Sequence, residues 1–177
     1  MSFKSISPSE FHENVFDLIK KDWFLMTAEA DGVVNTMTVA WATLGILWQK
    51  PVVIVAVRPE RYTHEIASKA EGFSLTVFHN TPENRKMLGV CGTKSGRDLD
   101  KVKEFNFTVE HDGSIPYFAE GRLNLICKKL CVSQLAEGDF PTDELSKFYG
   151  GTNNHNGEGG GYHHLYIAEL TNILVEE

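Results

Sequence analysis

Apolar and β-branched residues fall in short runs along this chain, each broken by turn residues or by a polar side chain. Trp23 to Glu29 and Val33 to Ala42 read as two strands, with Ala30-Asp31-Gly32 as the hairpin turn between them. Gly45 to Pro51 reads as a turn that brings the chain into Val52 to Val57, an apolar run too short for a free-standing helix and bounded by Pro51 and Pro59. A strand of that composition is expected to be covered on both faces. In a barrel one face looks inward, so the other needs a helix or a second subunit, which predicts an oligomer. Phe73 to His79 alternates as a half-buried strand does. Further strands are expected at Phe107 to Glu110, Gly121 to Ala136 and His163 to Val175.

Helices are shorter and fewer. Ser7-Pro8-Ser9-Glu10 has the form of a capping box with proline at the first helical position, and Phe11, Val15, Leu18 and Ile19 follow at helical spacing, predicting a first helix of about three turns. Pro59 opens a short helix through Thr63 to Lys69, Thr81 caps another through Met87, and Ser95 with Asp98 forms a second capping box ahead of Leu99 to Phe105. One more helix is expected near Thr142 to Phe148. The Asn/Gly-rich stretch Thr152 to Gly161 reads as a mobile loop. Many short strands with a few short helices make a mainly β chain of the α+β kind, a barrel with helical decoration.

Its 177 residues form one domain, 1–177, long enough to bury roughly 70% of the unfolded surface. A formal net charge of −7 argues against a protein whose main partner is nucleic acid. The N-terminus lacks a signal-peptide core and no run reaches the roughly 20 apolar residues of a membrane span, so no membrane role and a cytoplasmic location are expected. Cys91, Cys127 and Cys131 lack disulfide or zinc spacing and read as reduced thiols.

Against that acidic background the cations are local. Asn35, Thr36 and Thr38 interrupt a β-rich run with amide and hydroxyl groups, while Arg58, Arg61, Lys94 and Arg97 stand beside Ser or Thr donors. A phosphate needs several convergent N–H and O–H donors, and two expected helix starts, near Thr63 and Ser95, offer unpaired N–H groups to an anion. Strand backbone from Asn35 through Val39 and Ala40 can pair with the edge of a flat ring, and Met37 and Trp41 offer it apolar contact. Trp41 reads equally as a core aromatic, and Arg97 as an exposed charge paired with Asp98 or Asp100. Together these residues describe a pocket for a phosphorylated ligand with a flat ring.

Three segments in this order carry a resemblance: Asn35-Thr36-Met37-Thr38-Val39-Ala40-Trp41, then Lys50-Pro51-Val52 running into Val57-Arg58-Pro59-Glu60-Arg61-Tyr62-Thr63, then the run from Cys91-Gly92 through Lys94-Ser95-Gly96-Arg97-Asp98 to Asp100-Lys101. From about Trp23 to Glu169 the chain resembles the flavin reductase-like FMN-binding family and, within it, the flavoredoxin-like branch. The resemblance implies a split β-barrel that binds FMN at a homodimer interface, with Arg58, Arg61, Tyr62, Thr63, Lys94 and Ser95 at the phosphate and ribityl chain. It places His163 near the flavin or the nicotinamide, although Tyr162 stands where many members carry Asp. The activity implied is flavin reduction by NADH or NADPH. The alternative is a flavoredoxin-like carrier taking electrons from a redox protein partner.

Other motifs fail. In Gly92-Thr93-Lys94-Ser95 the lysine does not follow the glycine as a phosphate-binding loop requires, and Gly157 to Tyr162 follows no apolar strand, so any nicotinamide site is non-Rossmann. His163 and His164 are adjacent on an expected strand and point to opposite faces, which argues against a metal shared with His155. Cys91 reads as buried packing and no nucleophile pattern is assembled, so the catalytic residues stay unassigned.

Overall fold

The structure, a computed structural model, describes residues 2–139, 148–149 and 161–177. Its strands are β1 (Phe3–Ile6), β2 (Phe24–Ala30), β3 (Val33–Val39), β4 (Ala42–Leu47), β5 (Lys50–Val57), β6 (Gly72–Val77), β7 (Val109–Asp112), β8 (Ile115–Phe118), β9 (Leu123–Gln134) and β10 (His164–Glu176). The α-helices are α1 (Val15–Asp17), which continues as a π-helical turn over Leu18–Asp22, α2 (Tyr62–Lys69), α3 (Pro82–Thr93) and α4 (Lys101–Glu104). One sheet runs β3-β2-β6-β9-β10-β5-β4, with β1 on β10, and β7-β8 form a separate hairpin. The two edge strands β3 and β4 are joined by Ala40 and Trp41 alone, so the sheet has to curl until its edges meet. Ala56 N–H donates to the Trp41 carbonyl at that seam (3.1 Å). This is the mainly β barrel that the strand pattern predicts, in the split-barrel form that the resemblance implies.

Alternation along the strands divides the interior in two. Phe24, Met26, Met37, Val39, Val53, Val55, Phe73, Leu75 and Tyr166 fill the barrel. Leu25, on the other face of β2, joins Phe78, Met87, Leu88, Cys91 and Phe118 beneath α3. Helix α3 therefore lies on the outside of β2 and β3, and its C-terminal end points at the cleft described below. No described helix is long and apolar enough to cross a membrane.

Several expectations are corrected. The first helix is shorter than three turns and starts late: helical backbone begins at Val15 and runs to Asp22, with Leu18 buried and Ile19 against the core. The Ser7/Glu10 capping box is present, with Ser7 N–H donating to Glu10 (2.9 Å), but it heads only a 3-10 turn, Pro8–Glu10, and Phe11 is extended. Asn14 then accepts from Phe16 and Asp17 N–H and starts α1 afresh, because asparagine gains more as a cap than inside a helix. The expected turn Gly45 to Pro51 is mostly strand. The reversal is confined to Trp48 and Gln49, both at positive φ, and Pro51 sits in β5 opposite Ile46 of the edge strand β4. The second strand ends at Val39 instead of Ala42.

The helix expected to end at Met87 continues to Thr93, because Gly92 lets it approach β3, where a Cβ would lie 3.3 Å from Thr38 Cβ. Ser95 consequently opens a turn, accepting from Arg97 N–H (3.2 Å), and the following helix starts at Lys101 under an Asp100 cap. The strand expected from Phe107 begins only at Val109, leaving Phe107 and Thr108 outside it, and pairs with the unforeseen β8. The helix expected over Thr142 to Phe148 and the loop over Thr152 to Gly161 fall, Phe148 and Gly161 apart, outside the described residues.

Candidate functional site

The end of β3, the start of α2, the C-terminal end of α3 and the turn into α4 enclose a cleft of about 550 Å³. Asn35, Met37, Arg58, Glu60, Arg61, Tyr62, Thr63, Lys94, Ser95 and Lys101 line it. A second lobe of about 250 Å³, lined by Thr38, Val39, Ala40, Trp41, Ala56 and His163, shares Met37, Arg58 and Arg61 with the first. One lobe is cationic and hydroxylated and the other apolar and aromatic, and they meet at Arg58 and Arg61.

Each predicted residue has a defined place. Asn35 Nδ2 donates to Thr63 Oγ1 (2.8 Å), tying β3 to the first turn of α2. Gly96 packs against this pair so closely that a Cβ would collide with Asn35 Oδ1 and the Tyr62 ring. Thr36 and Thr38 face away from the barrel. Thr36, fully buried, donates to the Met26 carbonyl (3.0 Å), and Thr38 donates to the Leu88 carbonyl (2.5 Å), so both hydroxyls serve the scaffold. Thr36 lines neither lobe. Arg58 reaches the carbonyls of Phe148 (2.7 Å) and Gly161 (3.2 Å), and Arg61 reaches the Gly92 carbonyl (2.5 Å). Burial, with Arg58 beside it, pulls the Arg61 pKa below its ordinary value.

Lys94 is an exposed cation on the lip, at the end of α3 rather than at a helix start, so no helix dipole at Ser95 assists an anion. Trp41 is 45% exposed and lies against His163 (4.8 Å) and Phe148 (5.5 Å), so it is not a core aromatic. Arg97 pairs with Glu65 and lies over the Tyr62 ring, not with Asp98 or Asp100.

His163 is buried and its Nδ1 meets the Tyr149 hydroxyl (2.8 Å). Burial, then Arg58 and His164, push its pKa down to about 4, so it meets a ligand as a neutral imidazole at pH 7. Burial raises the Cys91 thiol to about 11, which removes it as a nucleophile. Among the described residues no cluster of His, Cys, Asp or Glu could hold a metal ion.

Lys101 escaped the sequence reading as a functional residue. It is 4% exposed, lines the cationic lobe and donates to the carbonyls of Thr36 (2.7 Å) and Cys91 (2.9 Å). Its signal was available: a lysine at the first position of a helix opposes the helix dipole and asks for an anion elsewhere. Convergent Arg and Lys donors beside Ser and Thr fit a phosphate, and a narrow lobe walled by strand backbone, Met37 and Trp41 fits a flat ring.

Fold and site together define a flavin-binding domain of the split-barrel class. The chain belongs to the flavin reductase like domain family, whose model matches residues 17–177. Its fold is similar to flavoredoxin from Methanosarcina acetivorans (TM-score 0.64, 23% identity, 95% of this chain and 75% of that one). An FMN-binding domain of a flavin reductases-like enzyme from Shewanella baltica is also similar (TM-score 0.65, 18% identity, 98% and 77%). Over 101 residues the chain is 29% identical to a high molecular weight rubredoxin of Moorella thermoacetica, covering 56% of this chain and 42% of that protein.

Proposed function

We propose that residues 1–177 act as one FMN-binding oxidoreductase domain, a cytoplasmic homodimer that reduces flavin with NADH or NADPH. The observation that carries this reading is the continuity of the cationic and flat lobes through Met37, Arg58 and Arg61. Arg61, Lys94 and Ser95 would hold the phosphate; Asn35, Tyr62 and Thr63 would lie along the ribityl chain. The β3 backbone from Met37 to Ala40, with Trp41 and His163, would hold the ring. Bound flavin supplies the redox chemistry, and the protein supplies orientation and exclusion of water. Neutral His163 adds hydrogen-bonding capacity without a charge.

The second reading is an electron carrier holding FMN tightly and exchanging electrons with a protein. It is supported by the resemblance to flavoredoxins and to the Moorella rubredoxin, and by a ring lobe that opens to the surface at half-exposed Trp41. Anaerobic mixing of the protein with FMN and NADH or NADPH separates the two. Bleaching of the flavin absorbance over repeated additions of FMN supports the reductase. A tightly held flavin inert to both nicotinamides, yet reduced by a reduced rubredoxin, supports the carrier. Failure to bind FMN overturns both.

The homodimer is inferred from the outer face of the sheet. Ile54, Ile167 and Cys131 lie in one row across β5, β10 and β9, with Ala56 and Leu165 in the next row, and none of these is fully buried within one copy. Ala56 also lines the flat lobe, so a second copy on this face would adjoin the ring. Sedimentation is expected to give a dimer at micromolar concentration, burying more than roughly 1,200 Å², and Ile167→Asp is expected to give monomers. A wild-type monomer with FMN bound would refute the arrangement.

A further inference from the structure

We propose that Lys101 is the ionisable counter-charge of the flavin phosphate, so that in alkaline solution FMN binds with uptake of one proton by this side chain and riboflavin binds without it. The inference rests on the FMN reading above and deepens it. A buried lysine is normally paired with a carboxylate. Among the described residues no carboxylate pairs with Lys101, and its two assigned partners are neutral carbonyls. An ammonium has three donors, and carbonyls satisfy two of them without neutralising the charge. Lys94, the cation that the sequence made prominent, is exposed and screened by water, whereas Lys101 lines the same lobe from a buried position, where water screens its charge less.

The surroundings decide the direction of the effect. Cys91 of α3 faces Lys101, and its thiol is raised to about 11 and so stays neutral across the range of interest. Arg61, ahead of α2, adds positive charge, and β3 contributes only the Thr36 carbonyl. Arg58, Glu60, Lys94 and Asp98 line the same lobe, and on its own helix Lys103 is occupied by Asp100 (3.0 Å). Burial lowers the Lys101 pKa to about 8. A phosphate anion favours the charged form and raises it again. A group whose pKa is higher in the complex than in the free protein contributes affinity that is complete below the free value and is lost as pH rises through the bound one. The proton comes from the buffer, converting –NH2 to –NH3⁺, with no other bond made or broken.

Titration of the wild-type protein with FMN and with riboflavin tests this. The FMN dissociation constant is expected to rise about tenfold between pH 7 and pH 9 while that of riboflavin stays level, riboflavin cancelling any effect of the ring or of the fold. Calorimetry at pH 8.5 in two buffers of different ionisation enthalpy is expected to show proton uptake with FMN only. Lys101→Arg keeps the charge and should flatten the FMN profile, and Lys101→Met should bring FMN affinity towards that of riboflavin. If Lys101→Met does not fold, the wild-type titrations still decide. Parallel pH profiles for the two flavins, or proton uptake by neither, overturn the role of Lys101 and leave the FMN reading standing. Binding of neither flavin at pH 7 removes both.

Discussion

Replacing Tyr166 by alanine is expected to lower the melting temperature by roughly 6–20 °C, the consequence of losing about 3–5 kcal/mol in a chain of this size. Tyr166 is wholly buried in the barrel, edge-on to Phe73 (6.3 Å), and its hydroxyl meets His64 Nδ1 (2.8 Å), which joins β10 to α2. Truncation leaves a cavity between central strands that cannot collapse without bending both. Tyr166→Phe keeps the ring and removes only the bond to His64, so a loss of about 1 kcal/mol, or roughly 2–4 °C, is expected. Thermal melts of the two variants check the pair. Equal losses would mean that the hydroxyl rather than the ring holds α2 against the barrel.

Arg61→Ala is expected to weaken FMN about ten- to a hundredfold, from the loss of one charge-assisted interaction of roughly 1.5–3 kcal/mol. The residue lines both lobes, and one end of its guanidinium is fixed by the Gly92 carbonyl. Lysine is no substitute, since it cannot hold that carbonyl and a phosphate with a planar fork. A competing account makes Arg61 only a cap for the C-terminal end of α3, where a cation offsets the helix dipole. Fluorescence titration separates them: a phosphate ligand shows a larger loss for FMN than for riboflavin, whereas a cap weakens both alike and lowers the melting temperature.

The barrel was legible because strand signals are local: β-branched runs and alternation place β2, β5, β6, β9 and β10 within a few residues. Where reading failed, a tertiary contact overrode the local rule. Trp48 and Gln49 take left-handed backbone without glycine or asparagine, so the β4–β5 hairpin carries no turn signature. The helix after Thr81 runs past Met87 because Gly92 is a close-packing position against Thr38. The β7–β8 hairpin does carry a local signature, Asp112-Gly113, with Gly113 at φ 61°. At the site, the three polar segments do converge. Their order along the chain could not reveal that Thr36 lines neither lobe, that the Thr38 hydroxyl is taken by the Leu88 carbonyl, or that α4 delivers Lys101 to the cleft, since all depend on how the sheet curls.

Strand β10 is the hydrogen-bonded link between two halves of the sheet, β3-β2-β6-β9 on one side and β5-β4 on the other. The first half presents Asn35 to Val39, the second leads to Arg58 and Arg61, and His163 immediately precedes β10 itself. These pairings link residues more than a hundred positions apart, such as Ile54 with Ile167, and long-range antiparallel pairing is slow to form. The two lobes of the cleft are therefore held in register by a strand from the far end of the chain, and a substitution that loosens the pairing of β10 with β5 would part the ring lobe from the phosphate lobe without touching a residue of either.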